Sequence, residues 1–231
     1  IGDWTGGDTP DVLRLSEDPA FATSTSLPWM GQTSTSFLLT GPEGAVDVWA
    51  RLDSPGGAGI PTSDTIVLDL TSPTTTLSSP ASNPTNTSPV PMALTFDEAV
   101  TGVEDTDFLT TNASVANLIG TGAKYSFDLL PVANGLVEVA FPEGAAVDIV
   151  NLPSRAASFS IVFDDTPPTV TMQSPAPNPT NTAPISVFVF FSEAVTDFAS
   201  SDVAVSNATV QNFAGAGAAW CVFRLAGDTF S

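Results

Sequence analysis

Residues 79–90 read SPASNPTNTSPV, and residues 174–185 return as SPAPNPTNTAPI. Such a stretch is neither helix nor strand. The residue before each proline is pushed out of the helical region, proline offers no backbone donor, and Asn and Thr side chains can bond the local backbone. It stops one strand and starts the next. Slid over itself by about 95 residues, the sequence aligns residues 69–130 with 164–225 without a gap, close to half of the positions being identical, and a gapless period of domain length marks a tandem array. The repeated loop is therefore expected to carry the first strand of each module from one sheet to the other, its prolines blunting an edge against pairing with other chains.

Around that loop the pattern is all strand. Short runs with period-two alternation, bounded by Pro, Gly and Asn, recur through residues 70–164, and no long stripe of period 3.6 is present. Strands are predicted over residues 74–79, 90–96, 107–111, 114–119, 123–130, 135–141 and 158–163. In 124–130 (KYSFDLL), Tyr125, Phe127 and Leu129 share one face while Ser126 and Asp128 take the other. Seven short strands in one period predict an all-β chain of tandem immunoglobulin-like β-sandwich modules, with boundaries at 1–69, 70–164 and 165–231. Residues 44–49 (GAVDVW) and 63–69 (SDTIVLD) fall in step with 135–140 and 158–164 and assign the first module to the same architecture. On this reading the first module lacks its first strands, and the third lacks the counterparts of GLVEVAF and SFSIVF. Were Ile1 and Ser231 natural ends, the incomplete modules would invite head-to-tail strand addition into a filament.

Composition excludes several function classes. Among 231 residues, 5 Lys plus Arg face 25 Asp plus Glu, a formal charge of -20, so a phosphate backbone is repelled and nucleic acid is not an expected partner. A single cysteine, Cys221, rules out an intrachain disulfide framework, and the absence of histidine removes the usual general base and the commonest metal ligand. No Ser-His-Asp or Cys-His arrangement can be built, and the adjacent Asp97 and Glu98 point to opposite faces of a strand, where they cannot flank one glycosidic bond. No enzyme is expected. The longest apolar run, residues 185–191 (ISVFVFF), is too short to span a bilayer. Together with the abundance of Thr, Ser, Asn and Asp, this suits an extracellular or cell-surface location.

The order and spacing of several phrases carry a resemblance. FDEAVTGVEDTDFLTTNASVANLIGTGAKYSFDLLP (residues 96–131), GLVEVAFPEGAAVD (135–148) and DDTPPTVTMQSP (164–175) resemble the bacterial Ig-like repeats strung in tandem in large surface proteins and adhesins. The resemblance covers residues 70–231 and implies a structural, non-enzymatic role. Where that family usually reads DAAGN, this chain reads DIVNL (residues 148–152), with Asn151 in the place of Gly, a swap that a left-handed turn tolerates. That turn is not counted among the expected ion ligands.

Hard oxygen ligands gather at the predicted junctions. Asp164 and Asp165, with Glu193 and Asp197, lie where modules two and three meet, and the period places Asp69 and Glu98 at the preceding junction; such carboxylates suit Ca2+. The alternative reading is a solubilising acidic surface. Trp4 and Trp29 lie in loop-like contexts and are the candidate ligand-binding aromatics, whereas Trp49 and Trp220 lie in strand patterns and are expected in the core. In the gapless alignment Cys221 occupies the place of Ser126. Asn112 and Asn207 fit glycosylation sequons, a common chance pattern. Two functions follow: a stalk whose partners are neighbouring Ig-like modules of the same protein, and a module that itself binds a glycan or protein ligand.

Overall fold

The computed structural model describes residues 9–215 and 220–227. The chain divides into two compact units, residues 1–83 with 87–162, and residues 84–86 with 163–231. It is all-β, its helical content among the described residues limited to two short 3-10 turns, Asp105–Asp107 and Ser200–Asp202. No helix among the described residues is long and apolar enough to cross a membrane.

The first unit opens with one antiparallel sheet. β1 (Val12–Ser16), β2 (Thr25–Pro28), β3 (Gly44–Ser54) and β4 (Gly57–Ala58) run in the order β2-β1-β3-β4, and β5 (Thr62–Leu68) also pairs with β3. Leu13, Leu15, Phe21 and Val46 are its buried apolar side chains. Arg51 lies over the Phe21 ring, 4.4 Å from its centre, and pairs with Asp53 at 3.0 Å. Its charge is thus met while its stem covers the ring.

Two sheets follow in the same unit. β6 (Thr75–Ser78), β7 (Val90–Val100) and β9 (Ala113–Pro131) form one, in the order β6-β7-β9; β8 (Leu109–Thr111), β10 (Gly135–Phe141) and β11 (Ala157–Phe163) form the other, in the order β11-β10-β8. Alternation fills the space between them: Val90, Met92, Leu94 and Phe96 from β7 and Phe127 and Leu129 from β9 are buried, as are Val137, Val139 and Phe141 from β10. Phe141 meets Phe96 and Phe108 edge-on or tilted, at 5.9 and 5.3 Å between ring centres. The strands expected over 114–119 and 123–130 are one element, β9, which doubles back just after Gly120. That glycine has φ 140°, and a Cβ there would fall 2.5 Å from the Cα of Tyr125, so only glycine lets the two arms close.

The repeated loop behaves as its chemistry dictates. Ser79 Oγ donates to the carbonyl of Pro91 (2.7 Å) and accepts from the N–H of Ala81 (3.2 Å), fixing the exit from β6. Asn83 Oδ1 then accepts from the N–H of Val162, and Thr85 forms a parallel bridge with Phe163. β6 lies in the sheet of β7, while Asn83 and Thr85 bond the strand β11 of the other sheet; the switch between sheets takes place across this loop.

The second unit contains β12 (Val170–Gln173), β13 (Ile185–Phe191), β14 (Ala208–Ala214) and β15 (Trp220–Gly227) in one antiparallel sheet, ordered β12-β13-β15-β14. Val189, Cys221 and Phe223 are buried, and Val187, Phe191, Phe198, Val203, Val210, Phe213 and Leu225 pack against them. The loop chemistry returns in detail: Ser174 Oγ donates to the carbonyl of Ser186 (2.7 Å) and accepts from the N–H of Ala176 (3.2 Å). Asn112 and Asn117 recur as Asn207 and Asn212, all four at positive φ.

One expectation is corrected by the register. Leu94 faces Tyr125 and Met92 faces Phe127 across β7 and β9, whereas Val189 faces Cys221 and Val187 faces Phe223 across β13 and β15. Cys221 therefore takes the place of Tyr125, not Ser126. Gly120 and Gly215 still correspond, each set against the strand that follows, so the additional residue lies between Gly215 and Trp220. A shift of one residue exchanges the faces of a strand. This buries Cys221 at 2% exposure and turns Trp220 outward at 52%, against the expectation that Trp220 is core; Trp49, on β3, is half-buried.

Candidate cation site

Among the described residues, one group of acidic side chains is close enough to share an ion. Carboxylate oxygens of Asp69, Glu98 and Asp148 lie within 4.8 Å of one another. Each comes from a different element, and each is held by a local cause. Asp69 directly follows β5 and closes an Asx turn, its Oδ1 accepting from the N–H of Thr71 (3.1 Å). Glu98 lies near the end of β7. Its neighbour Asp97 points the other way and accepts from both the N–H and the hydroxyl of Thr74, at 2.8 and 2.6 Å; these hydrogen bonds hold the Asp97 carboxyl below its ordinary pKa. The period-two geometry that separates Asp97 from Glu98 leaves Glu98 free to face the cluster.

Asp148 is the anchor. It heads the turn of residues 148–152, its Oδ1 accepting from the N–H groups of Val150 and Leu152, both at 2.8 Å. Asn151 adopts φ 67°, the left-handed conformation that glycine would otherwise supply. Val147 pairs with Thr101 just beyond β7 and with Pro153, which brings the turn beside Glu98. Asp148 is only 2% exposed, and its Oδ2 has no hydrogen-bond partner. A buried carboxylate oxygen without a donor is costly.

The electrostatics of the group are one-sided. Burial first, then the charges of Asp69, Asp148, Asp97 and Glu43, push the Glu98 carboxyl above its ordinary pKa. Two like charges at such a separation repel by on the order of 3 kcal/mol at an effective dielectric of about 20. Glu43, one residue before β3, is tied to the same place by the hydroxyl of Thr71, which donates to its Oε2 at 2.6 Å. Arg14 and Arg51 are paired elsewhere, both with Asp53.

The other expected site residues are placed differently. Asp164 repeats the Asx turn of Asp69, its Oδ1 accepting from the N–H of Thr166 (3.1 Å), and is exposed, as is Asp165. Glu193 is half-buried; Asp197 is exposed at φ 63°. Among the described residues these four join no group of three acids. Trp29 is half-buried one residue past β2, its backbone N–H donating to the carbonyl of Asp11, and Trp4 lies outside the described residues. Sequence reading paired Asp69 with Glu98 and missed Asp148. Its signal was an Asp opening a tight turn, but the approach of that turn to β7 depends on the bridge between Val147 and Thr101.

A family model described as bacterial Ig-like domain matches residues 164–223. No curated protein and no solved structure matches the chain.

Proposed function

We propose that this chain is a structural segment of an extracellular bacterial surface protein or adhesin, in which tandem Ig-like modules space a distal functional domain from the cell. The observation that carries this reading is what the repeat preserves. The bonds of Ser79 and Ala81 recur at Ser174 and Ala176, and the Asx turn of Asp69 recurs at Asp164. These are framework contacts that set strand exits and junctions. No histidine is available for acid-base work, and the acidic charge of -20 keeps such segments apart from one another. The match of residues 164–223 to a bacterial Ig-like domain supports the surface location, since such modules usually occur in surface proteins.

Probing the full chain on a glycan array and against host matrix proteins tests the role directly. A spacer gives no saturable binding, and scattering from tandem copies shows a maximum dimension growing in proportion to the number of modules. Saturable capture of one glycan or protein class by the isolated segment would overturn the spacer reading in favour of a binding module.

A further inference from the structure

The cluster of Asp69, Glu98 and Asp148 has a defect that its own residues do not repair. Two independent observations point to the same remedy. Three carboxylate oxygens from separate elements converge within 4.8 Å, which is about twice a calcium–oxygen distance and so matches the span across one such ion. Separately, Asp148 presents a buried oxygen, Oδ2, that no donor reaches, while its other oxygen is fully engaged by Val150 and Leu152. A fold that buries a carboxylate to 2% exposure normally supplies a donor or a cation for each oxygen. The side chains that the structure brings beside Asp148 are further acids, Asp69 and Glu98.

We propose that Asp69, Glu98 and Asp148 form a calcium site that fastens the segment after β5 to β7 and to the turn of residues 148–152. The all-oxygen donor set, with no sulfur or imidazole, selects a hard cation. Calcium is favoured over magnesium because the ligands come from a linker, a strand end and a turn, a set without the near-octahedral regularity that magnesium requires. Asp148 is the pre-positioned ligand, oriented by two backbone N–H groups; Glu98 adds charge from the strand; Asp69 closes the site from the linker. Glu43 is a further carboxylate tied to the same segment through Thr71, two residues after Asp69. The ion turns mutual repulsion into coordination and ties the segment that follows β5 to the strands that come after it. The site stands on geometry within one compact unit and holds whether or not the chain is a spacer.

The test is calorimetric titration of the full, chelator-treated chain with CaCl2 in about 0.15 M salt, where weak surface attraction is screened. One saturable site is expected, with a Kd in the range of about 10⁻⁴ to 10⁻³ M found for extracellular modules, and Mg2+ at equal concentration binding at least about tenfold more weakly. Glu98→Gln and Asp148→Asn each weaken binding by about tenfold or more, whereas Asp105→Asn, which removes an equal charge from an exposed 3-10 turn, leaves it unchanged. Glu98→Gln keeps the turn intact and decides the matter if Asp148→Asn does not fold. The absence of saturable binding at about 10 mM calcium, or equal binding by Glu98→Gln, Asp105→Asn and the unaltered chain, overturns the site. Either result leaves the glycan-array and scattering outcomes untouched, so failure of the site and failure of the spacer role are separately visible.

Discussion

Residues 75–131 and 170–227 write one strand pattern, with close to half of the aligned positions identical, into different surroundings. On β7, Val90, Met92, Leu94 and Phe96 are all buried; on β13 their counterparts Ile185, Val187 and Phe191 are half-buried, and only Val189 is buried. In the first unit Phe141 of β10, from the second sheet, meets both Phe96 of β7 and Phe108. Among the described residues of the second unit there is one sheet, against which Phe198, Phe213 and Phe223 pack in tilted and stacked contacts. The pattern of a strand sets which side chains share a face. A second layer sets how much of that face leaves water, and most of the hydrophobic stabilisation follows from that area.

The largest difference between the two units is expected at the best-packed ring. Phe141→Ala removes a fully buried ring and is expected to destabilise the first unit by about 3 to 5 kcal/mol, whereas Phe191→Ala, at a half-buried position, costs less than about 3 kcal/mol. Urea unfolding of the two variants checks the order, and equal losses would mean that the second sheet adds little. The hairpins come next. Gly120→Ala and Gly215→Ala place a Cβ under 3 Å from backbone at positive φ, so both lose about 2 to 3 kcal/mol or more; a benign Gly215→Ala would show that the close approach of Gly215 to Trp220 and Cys221 is not enforced.

Smaller effects test the shared loop. Ser79→Ala and Ser174→Ala each delete the same pair of hydrogen bonds and are expected to cost about 1 kcal/mol apiece in thermal unfolding. A clear difference between them would mean that the loops share sequence without sharing energetics. Smallest is the effect at Cys221, where burial pushes the thiol above its ordinary pKa. The raised value means that the folded state holds its proton longer than the unfolded one. Its contribution to stability is therefore intact below the ordinary thiol pKa and declines as pH rises above it. Thiol-reagent labelling of the native chain at pH 8 should run about a hundredfold slower than in urea; labelling at the unfolded rate would place Cys221 on the outer face after all.

Much of this was legible in the sequence because it is local. The proline and asparagine chemistry of residues 79–90 dictates a strand break wherever it occurs, and alternation in residues 135–141 dictates β10 to the residue. The left-handed Asn112, Asn117, Asn207 and Asn212 come as a repeated set for the same reason. The period also placed Asp69 and Glu98 at one predicted junction, and their carboxylates lie close together. What failed was one unit of register. The alanine- and glycine-rich stretch before Trp220 aligns without a gap against residues 121–124, and no identity there penalises the error. Backbone pairing registers the additional residue at once, because a strand displaced by one would bury Trp220 and expose Phe223.

The sequence by itself determined the all-β class, the repeat, the strand breaks and the excess of acid, each a property of neighbouring residues or of composition. Only the tertiary structure decided which carboxylates meet. Asp148 and Asp69 are far apart along the chain, and no periodicity relates a turn after β10 to a linker before β6. Their approach follows from Val147 pairing with Thr101 at the end of β7, a long-range bridge. That bridge also decides that the second oxygen of Asp148 is left inside the protein without a donor, a condition that exists only once the surrounding chain has excluded water.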